Sequence, residues 1–317
     1  MEEAAVRAAA AWGLGAVAVR RDLDIPGSPQ RSAFRCVVEA AGPGLVVLEH
    51  IHEQDRTRKQ AVIDRLDFLS SQGLAGIHPY LRTPDGGHIV RIEGRLWQAS
   101  PYIPGVPLQR PGYEFDGWRG EAMGRFLAHL RKASQNMPDS LSTLPFSILD
   151  YIDGLMGQIR VREPGLVREL EPVTGFIRER LAPVHDLLPT AFCHGDFHPL
   201  NLIWSETGIP GVIDWEFSGP KPENYDAAVL IGCMGMEIPD ALTGDLVTGF
   251  LRTLKAAQVL SEAGWRSLTD MIVAIRFGWL SEWLRSRDEE MIELETAYLH
   301  LLMANADDLS SLWNDGP

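Results

Sequence analysis

The sequence predicts an α+β protein in two lobes, the first mainly β and the second helical. Three observations carry this expectation. Short apolar runs bounded by glycine and proline turns fill the first hundred residues around one amphipathic stretch, a proline-rich segment follows at 98–107, and apolar residues then recur at helical spacing. At 317 residues the chain exceeds the usual size of one compact domain, so the expected boundaries are 1–100 and 101–317.

Composition narrows the class. Hydrophobic residues make up 45% and charged residues 23%, the balance of a soluble globular protein. No apolar run approaches the ~20 residues of a membrane span, and Met1-Glu2-Glu3-Ala4-Ala5 lacks the basic start of a signal peptide, so a cytoplasmic protein with no membrane partner is expected. A net charge of −14 argues against nucleic acid as a partner and is compatible with a cationic substrate. Cys36, Cys193 and Cys233 are too scattered for a disulfide framework or a zinc site and read as core thiols.

The elements follow in order. Residues 3–12 are alanine-rich and suit a short helix stopped near Gly13 and Gly15. Residues 27–33, small and polar, lie between candidate strands; only Gly27 supplies free backbone, and a surface turn is an equally good reading. Strands are expected at 34–39 and 45–50 around a glycine–proline turn, a helix at 55–72 with Ala61, Val62, Leu66 and Leu69 on one face, and strands at 87–91 and 96–99. Gln98 to Pro107 reads as the connection between lobes. Helices are then expected at 113–136, 147–159, 166–181, 225–236, 242–256, 260–286 and 289–309.

Chemistry concentrates in His194-Gly195-Asp196-Phe197-His198-Pro199-Leu200-Asn201 and in Ile213-Asp214-Trp215-Glu216. Apolar runs at 202–204 and 211–213 flank Ser205-Glu206-Thr207-Gly208, which reads as a β-hairpin with Asn201 at one end and Asp214 at the other, a two-ligand oxygen site. Asp196 lies five residues before Asn201 on a loop held by Gly195 and Pro199, where it faces a hydroxyl group rather than a metal. Phosphoryl transfer needs this division, because Mg²⁺ takes oxygen ligands while a separate carboxylate orients the attacking hydroxyl. An Asp, four residues and an Asn is also the spacing of the kinase catalytic loop. His194 reads as a brace of that loop, and His198 has no assigned role. Trp279 and Trp283 share a helix face and, with Trp215, form either a wall for an ammonium group or part of the core. Glu282 and Glu290 are solvated acids by default.

On the His-Gly-Asp and Ile-Asp-Trp-Glu motifs the sequence resembles the aminoglycoside phosphotransferase family, with its relatives the choline kinases and homoserine kinases. The resemblance implies a two-lobed protein-kinase-like fold with a mainly β, nucleotide-clamping N-terminal lobe and a helical, catalytic C-terminal lobe. It implies transfer of the γ-phosphoryl group of ATP, or another nucleoside triphosphate, to a hydroxyl of a small molecule, an amine among the options. Asp196 and His194 then form the catalytic loop, Asn201 and Asp214 hold Mg²⁺, and Ser32, Gln98, Ser100 and Tyr102 contact the nucleotide. Asp226, opening a helix after the second motif, is expected to cap it in structural support of the site, and Glu216 reads as an exposed acid or a support of Asp214. One position departs from the pattern. Such folds carry a lysine on the strand at 45–50, where this chain has Glu49, and Asp64 stands about where the partner acid of the next helix belongs. A different register, another cation such as Lys59, Arg65 or His52 over the phosphates, and altered nucleotide binding are the open explanations, a charge-reversed Glu49–Arg65 pair among them. The alternative function is a catalytically impaired nucleotide-binding or regulatory protein.

Overall fold

The computed structural model describes residues 1–23, 25, 32–42, 44–142 and 145–315, which divide into two compact units. Met1–Pro107, Asn136–Leu141 and Leu202–Glu216 make the first, and Leu108–Gln135, Ser142–Asn201 and Phe217–Pro317 the second. Both sheet and helix are present as expected, an antiparallel sheet in the N-terminal part and helices in the C-terminal part.

In the first unit, helix α1 (Glu2–Ala9) precedes β1 (Gly15–Val19), β2 (Phe34–Ala41) and β3 (Gly44–Ile51); α2 (Arg56–Ser71) leads to β4 (Val90–Ile92) and β5 (Arg95–Pro101). The five strands stand in the order β1-β2-β3-β5-β4, all neighbours antiparallel. Ala4, Ala5, Ala8 and Ala9 of α1 are buried in one core with Val38, Leu48 and Trp97, so the alanine run that favours helix also lets it lie close to the sheet. Val62, Ile63, Leu66 and Leu69 form the apolar face of α2, and Lys59 and Arg65 are buried beside them. Of the loop expected at 27–33, residues 27–31 lie outside the described residues; Ser32 is buried and the Ala33 N–H donates to His50 O at 2.9 Å.

Pairing shifts some boundaries. The strand expected at 87–91 is only Val90–Ile92, while β5 runs through Gln98 and Ser100 to Pro101, because β3 pairs with it as far as Val46↔Pro101. What reads as the start of the connection is therefore strand, and β1 carries no signal strong enough to place it beforehand.

The second unit contains α3 (Gly117–Ala133), α4 (Ile148–Arg162), α5 (Pro164–Arg180), α6 (Ala182–His185) and β6 (Thr190–Cys193). The short strands β7 (Leu202–Ile203) and β8 (Gly211–Val212) form the expected hairpin, which belongs to the first unit. After it come β9 (Gly219–Pro222), α7 (Tyr225–Glu237), α8 (Asp245–Ala256), α9 (Glu262–Arg266), α10 (Leu268–Ser286), α11 (Glu289–Ala304) and α12 (Ala306–Asp315). Every residue from Leu268 to Phe277 is buried, so α10 is the apolar axis of the unit.

Three long helices of the sequence reading are broken, two of them at polar side chains. The one expected from 113 begins as a separate short turn, Tyr113–Phe115, before α3. At Ser267 the Asn224 amide donates to Gly264 O, the carbonyl a continuous helix would pair with residue 268, and to Ser267 Oγ, both at 3.0 Å. At Asn305 the side chain donates to Leu301 O at 2.8 Å. Cys36 and Cys193 are buried and Cys233 is partly covered, all as free thiols. Among the described residues no helix is long and apolar enough to cross a membrane.

Helices α3 and α8 meet through glycine. A methyl group on Gly120 would lie 1.8 Å from Leu246 O, and one on Gly124 would lie 2.7 Å from Thr253 Cβ. Gly154 of α4, in contrast, has open space around it. Gly120→Ala is accordingly expected to destabilise the protein by at least about 1–3 kcal/mol through overpacking, whereas Gly154→Ala stabilises it by about 0.5–1 kcal/mol. Urea denaturation midpoints of the two variants check both signs.

Candidate active site

Strand β6 delivers the chain to His194, and the next residue must be glycine. Gly195 has φ +86°, and a Cβ there would lie 2.2 Å from Phe217 O. The turn is locked from beneath by Asp226, the second residue of α7, whose carboxylate accepts the N–H groups of His194 at 2.7 Å and Gly195 at 2.8 Å. The expected support by Asp226 is thus directed at the 194–195 loop rather than at its own helix. Burial pushes its pKa up, opposed by His194 and by the two N–H bonds.

His194 is fully buried. Its Nδ1 accepts the Asp196 N–H at 3.2 Å, and its ring meets the edge of Phe197, which stacks on Phe126 of α3 with centroids 5.6 Å apart. Its contacts are those of a brace. Asp196 stands above this base, partly exposed, with Asn201 Nδ2 donating to its carbonyl at 2.8 Å and to Oδ2 at 2.9 Å. His198 Nε2 lies 3.0 Å from the same amide nitrogen and 3.6 Å from Asp196 Oδ1. The amide has two N–H groups for three acceptors, so once Asp196 takes both, His198 is left facing the Asp196 carboxylate. Burial alone would raise the Asp196 pKa. His198, by hydrogen bond and charge, then His194 and Asn201 outweigh it and hold the carboxyl below its ordinary range. His198 is a site residue that sequence reasoning left without a role; its only signal was its place between Asp196 and Asn201.

In the first unit, β7 and β8 pair as Leu202↔Val212 and Ile203↔Gly211, and Ser205 N–H closes the turn on Gly208 O at 2.9 Å. Trp215 is buried with its indole N–H on Val212 O, a brace of this hairpin. Asp214 follows β8 with φ +64°, a left-handed conformation that Asp tolerates better than most residues and that directs a side chain out of the strand path.

The same unit resolves Glu49. In the sheet register Arg35 opposes Glu49 and Glu49 opposes Gln98, so the three side chains form one row across β2, β3 and β5. Glu49 Oε1 accepts from Arg35 Nη2 at 2.9 Å and Lys59 Nζ at 3.2 Å, and Oε2 accepts from Gln98 Nε2 at 2.5 Å. Lys59 of α2 also reaches Glu216 Oε1 at 2.5 Å. The charge-reversed partner is therefore Lys59; Arg65 donates to Leu141 O, and Asp64 accepts from Gln60. Glu216, read as an exposed acid, is instead buried in this cluster. Burial would raise the Glu49 pKa, but Lys59, Arg35 and Gln98 hold it low. Of the other expected nucleotide contacts, Gln98 is committed to Glu49, Ser100 of β5 stands opposite Val47 of β3, and the Tyr102 N–H donates to Leu45 O at 3.0 Å.

The aromatic residues of α10 have a cation of their own. Arg276 lies 4.5 Å from the Trp279 ring centre and forms a buried two-pronged pair with Glu295, to which the Trp283 indole also donates. Glu282 pairs with Arg285, and Glu290 is exposed in the first turn of α11.

Among the described residues no group of three or more His, Cys, Asp or Glu side chains is placed to hold a metal. The donor chemistry fits Mg²⁺ all the same. The hydrogen bonds of the Asn201 side chain described above run through Nδ2; its amide oxygen and the Asp214 carboxylate are each, as chemical groups, oxygen donors of the kind Mg²⁺ takes. One or two protein oxygens completed by water and phosphate are the usual Mg²⁺ set.

Known proteins resemble this chain. A model of the phosphotransferase enzyme family matches residues 30–268. The homoserine kinase of Acidiphilium cryptum is 26% identical over 231 residues, 72% of this chain and 70% of that protein, and the homoserine kinase of Granulibacter bethesdensis is 24% identical over 245 residues, 75% and 74%. Among solved structures, a microcompartment-associated aminopropanol kinase superposes with a TM-score of 0.65 at 17% identity, covering 100% of this chain and 99% of its own. A choline/ethanolamine kinase family protein from Mesorhizobium loti gives 0.62 at 18% identity, covering 97% and 94%. At such identities these structures speak for the fold, which is the kinase-like α+β fold the motifs imply.

Two measurements probe the supports. Asp226→Ala strands two N–H groups and is expected to cost about 1–3 kcal/mol for each, with Asp226→Asn, which retains one acceptor, falling between it and the wild type in urea denaturation. A carboxylate held below its unfolded value, 4.5 for Glu49, contributes stability above that value and loses it as pH falls through the folded value. Between about pH 6 and about pH 3, Glu49→Gln should therefore lose less stability than the wild type, read as the shift in urea midpoint.

Proposed function

The chain belongs to the phosphotransferase enzyme family, and from that premise we propose that it is a small-molecule kinase moving the γ-phosphoryl group of ATP to a hydroxyl of an amine-bearing acceptor. The observation that supports this reading best is the ionised Asp196 carboxylate, held in place by Asn201 and His198 on a loop that Asp226 locks. In the reaction the acceptor oxygen forms a bond to the γ-phosphorus as the bond from that phosphorus to the ADP oxygen breaks, and the hydroxyl proton passes to Asp196. Asn201 and Asp214 are the residues that would hold Mg²⁺, which would supply neutralisation of the phosphate charge. His194 fixes the backbone of Asp196 and takes no proton in this scheme. Adenine lies against the backbone of Ser100 and Tyr102, and Ser32 borders the phosphates.

The acceptor class rests on the relatives, whose names specify homoserine and aminopropanol. A net charge of −14 suits a substrate carrying an ammonium group. Glu49 does not argue for an impaired protein, because Lys59 and Arg35 neutralise it.

The test is ADP formation with Mg²⁺ and ATP across homoserine, aminopropanol, choline, ethanolamine and amino sugars. Acceptor-dependent ADP is expected with at least one of them, falling by about 10²–10⁴ in kcat for Asp196→Asn while MgATP affinity stays within about twofold. ADP release indifferent to every acceptor, or unchanged in Asp196→Asn, overturns the reading.

A further inference from the structure

The cations and acids around Glu49 are matched in number, since Arg58 also pairs with Asp55, but one of the cations, Arg35, turns only part of its fork to them. Glu49 and Glu216 are both buried, and three cations approach them: Lys59 bridges the two, Arg35 bonds Glu49, and Arg58 lies 3.4 Å from Glu216. Lys59 is spent inside the cluster, with its side chain 1% exposed and its ammonium between two carboxylates. Arg35 differs. Its side chain is 28% exposed, it meets Glu49 through Nε and Nη2 only, and a guanidinium has five N–H donors in a fixed fork. After Glu49, Tyr80 and Asp214 are among the charges that act on it.

Resting on the kinase reading above, we infer that Arg35 of β2 is the residue that binds the α- and β-phosphates of the nucleotide, with Glu49 as its anchor and Lys59 as the buried counter-charge. The strand position occupied by Glu49 is negatively charged and saturated with donors, so it cannot approach a phosphate. One strand over, in register, stands a cation that the same carboxylate holds in a fixed orientation. A planar fork bound on one side to a carboxylate presents its remaining N–H groups to a second oxyanion, and Arg suits phosphate in this two-pronged geometry. Glu49 thus fixes the rotamer of Arg35 instead of touching the nucleotide, and Gln98 fixes Glu49 from the other side.

Binding of MgATP, MgADP and adenosine to the wild type, Arg35→Ala, Arg35→Met and Arg35→Lys tests this by calorimetry, with circular dichroism as the check of folding. Arg35→Ala and Arg35→Met are expected to weaken MgATP and MgADP by about 10- to 100-fold and leave adenosine within about twofold, with Arg35→Lys between them and the wild type. The methionine variant keeps the packing stem should alanine loosen the sheet. MgATP affinity within about twofold of wild type in a folded Arg35→Met, or an equal loss for adenosine and MgATP, overturns the inference while leaving the kinase reading intact. A wild type that neither binds MgATP nor forms ADP with any acceptor overturns the kinase reading itself, and the inference with it.

Discussion

A buried carboxylate accepting two consecutive backbone N–H groups is the constraint on which the 194–201 loop depends. Asp226 fixes His194 and Gly195, Gly195 turns the chain where a side chain would strike Phe217, and the turn sets His194 beneath Asp196. Neutralising or removing such an acid leaves amide groups in a place water does not reach, so the loop has few alternatives to its observed path. The aromatic stack of Phe126 and Phe197 then ties that path to α3, whose own position follows from its glycine contact with α8. The geometry of one carboxylate is built, in this way, on a chain of close contacts running back into the helical unit.

The first unit solves a different problem with the same means. An acid on a central strand is costly to bury alone, and Glu49 is made tolerable by donors from three elements: Arg35 on β2, Gln98 on β5 and Lys59 on α2. Lys59 carries the network on to Glu216, two residues beyond Asp214. Strand, helix and hairpin are joined by charge as well as by apolar packing. Because each partner compensates another, the row behaves as a unit, and energies assigned to single members of it would not add.

Much of this was legible in the sequence. Alternating apolar residues around a glycine-rich turn point to β2 and β3, helical periodicity to α2, and the apolar runs at 202–204 and 211–213 around a four-residue turn to the hairpin. What stayed hidden depends on tertiary pairing. Gly-Pro-Lys-Pro has no strand propensity, and β9 exists because β6 pairs with it from Thr190↔Pro222 to Cys193↔Gly219. The breaks at Ser267 and Asn305 come from amide side chains that no periodicity reports. Lys59 stood among several candidate cations because the apolar face of α2 is flanked by both Lys59 and Arg65, and the helix period does not say which of the two reaches Glu49. Arg35 could have been found, since folding the strands about the turn at 41–44 sets it opposite Glu49, but that step requires committing to a register first.

The three cysteines have a practical corollary. Burial lifts the Cys36 thiol to about 11 and Cys233 to about 12, and Cys193 well above 9.0, so almost none of them is thiolate near neutral pH. Alkylating reagents and peroxide find little to attack in the native chain. Cys36 sits in the sheet and Cys193 before the 194–201 loop, both buried, so each of these two thiols becomes a clock for the opening of its own neighbourhood, reacting when that part of the molecule lets solvent in.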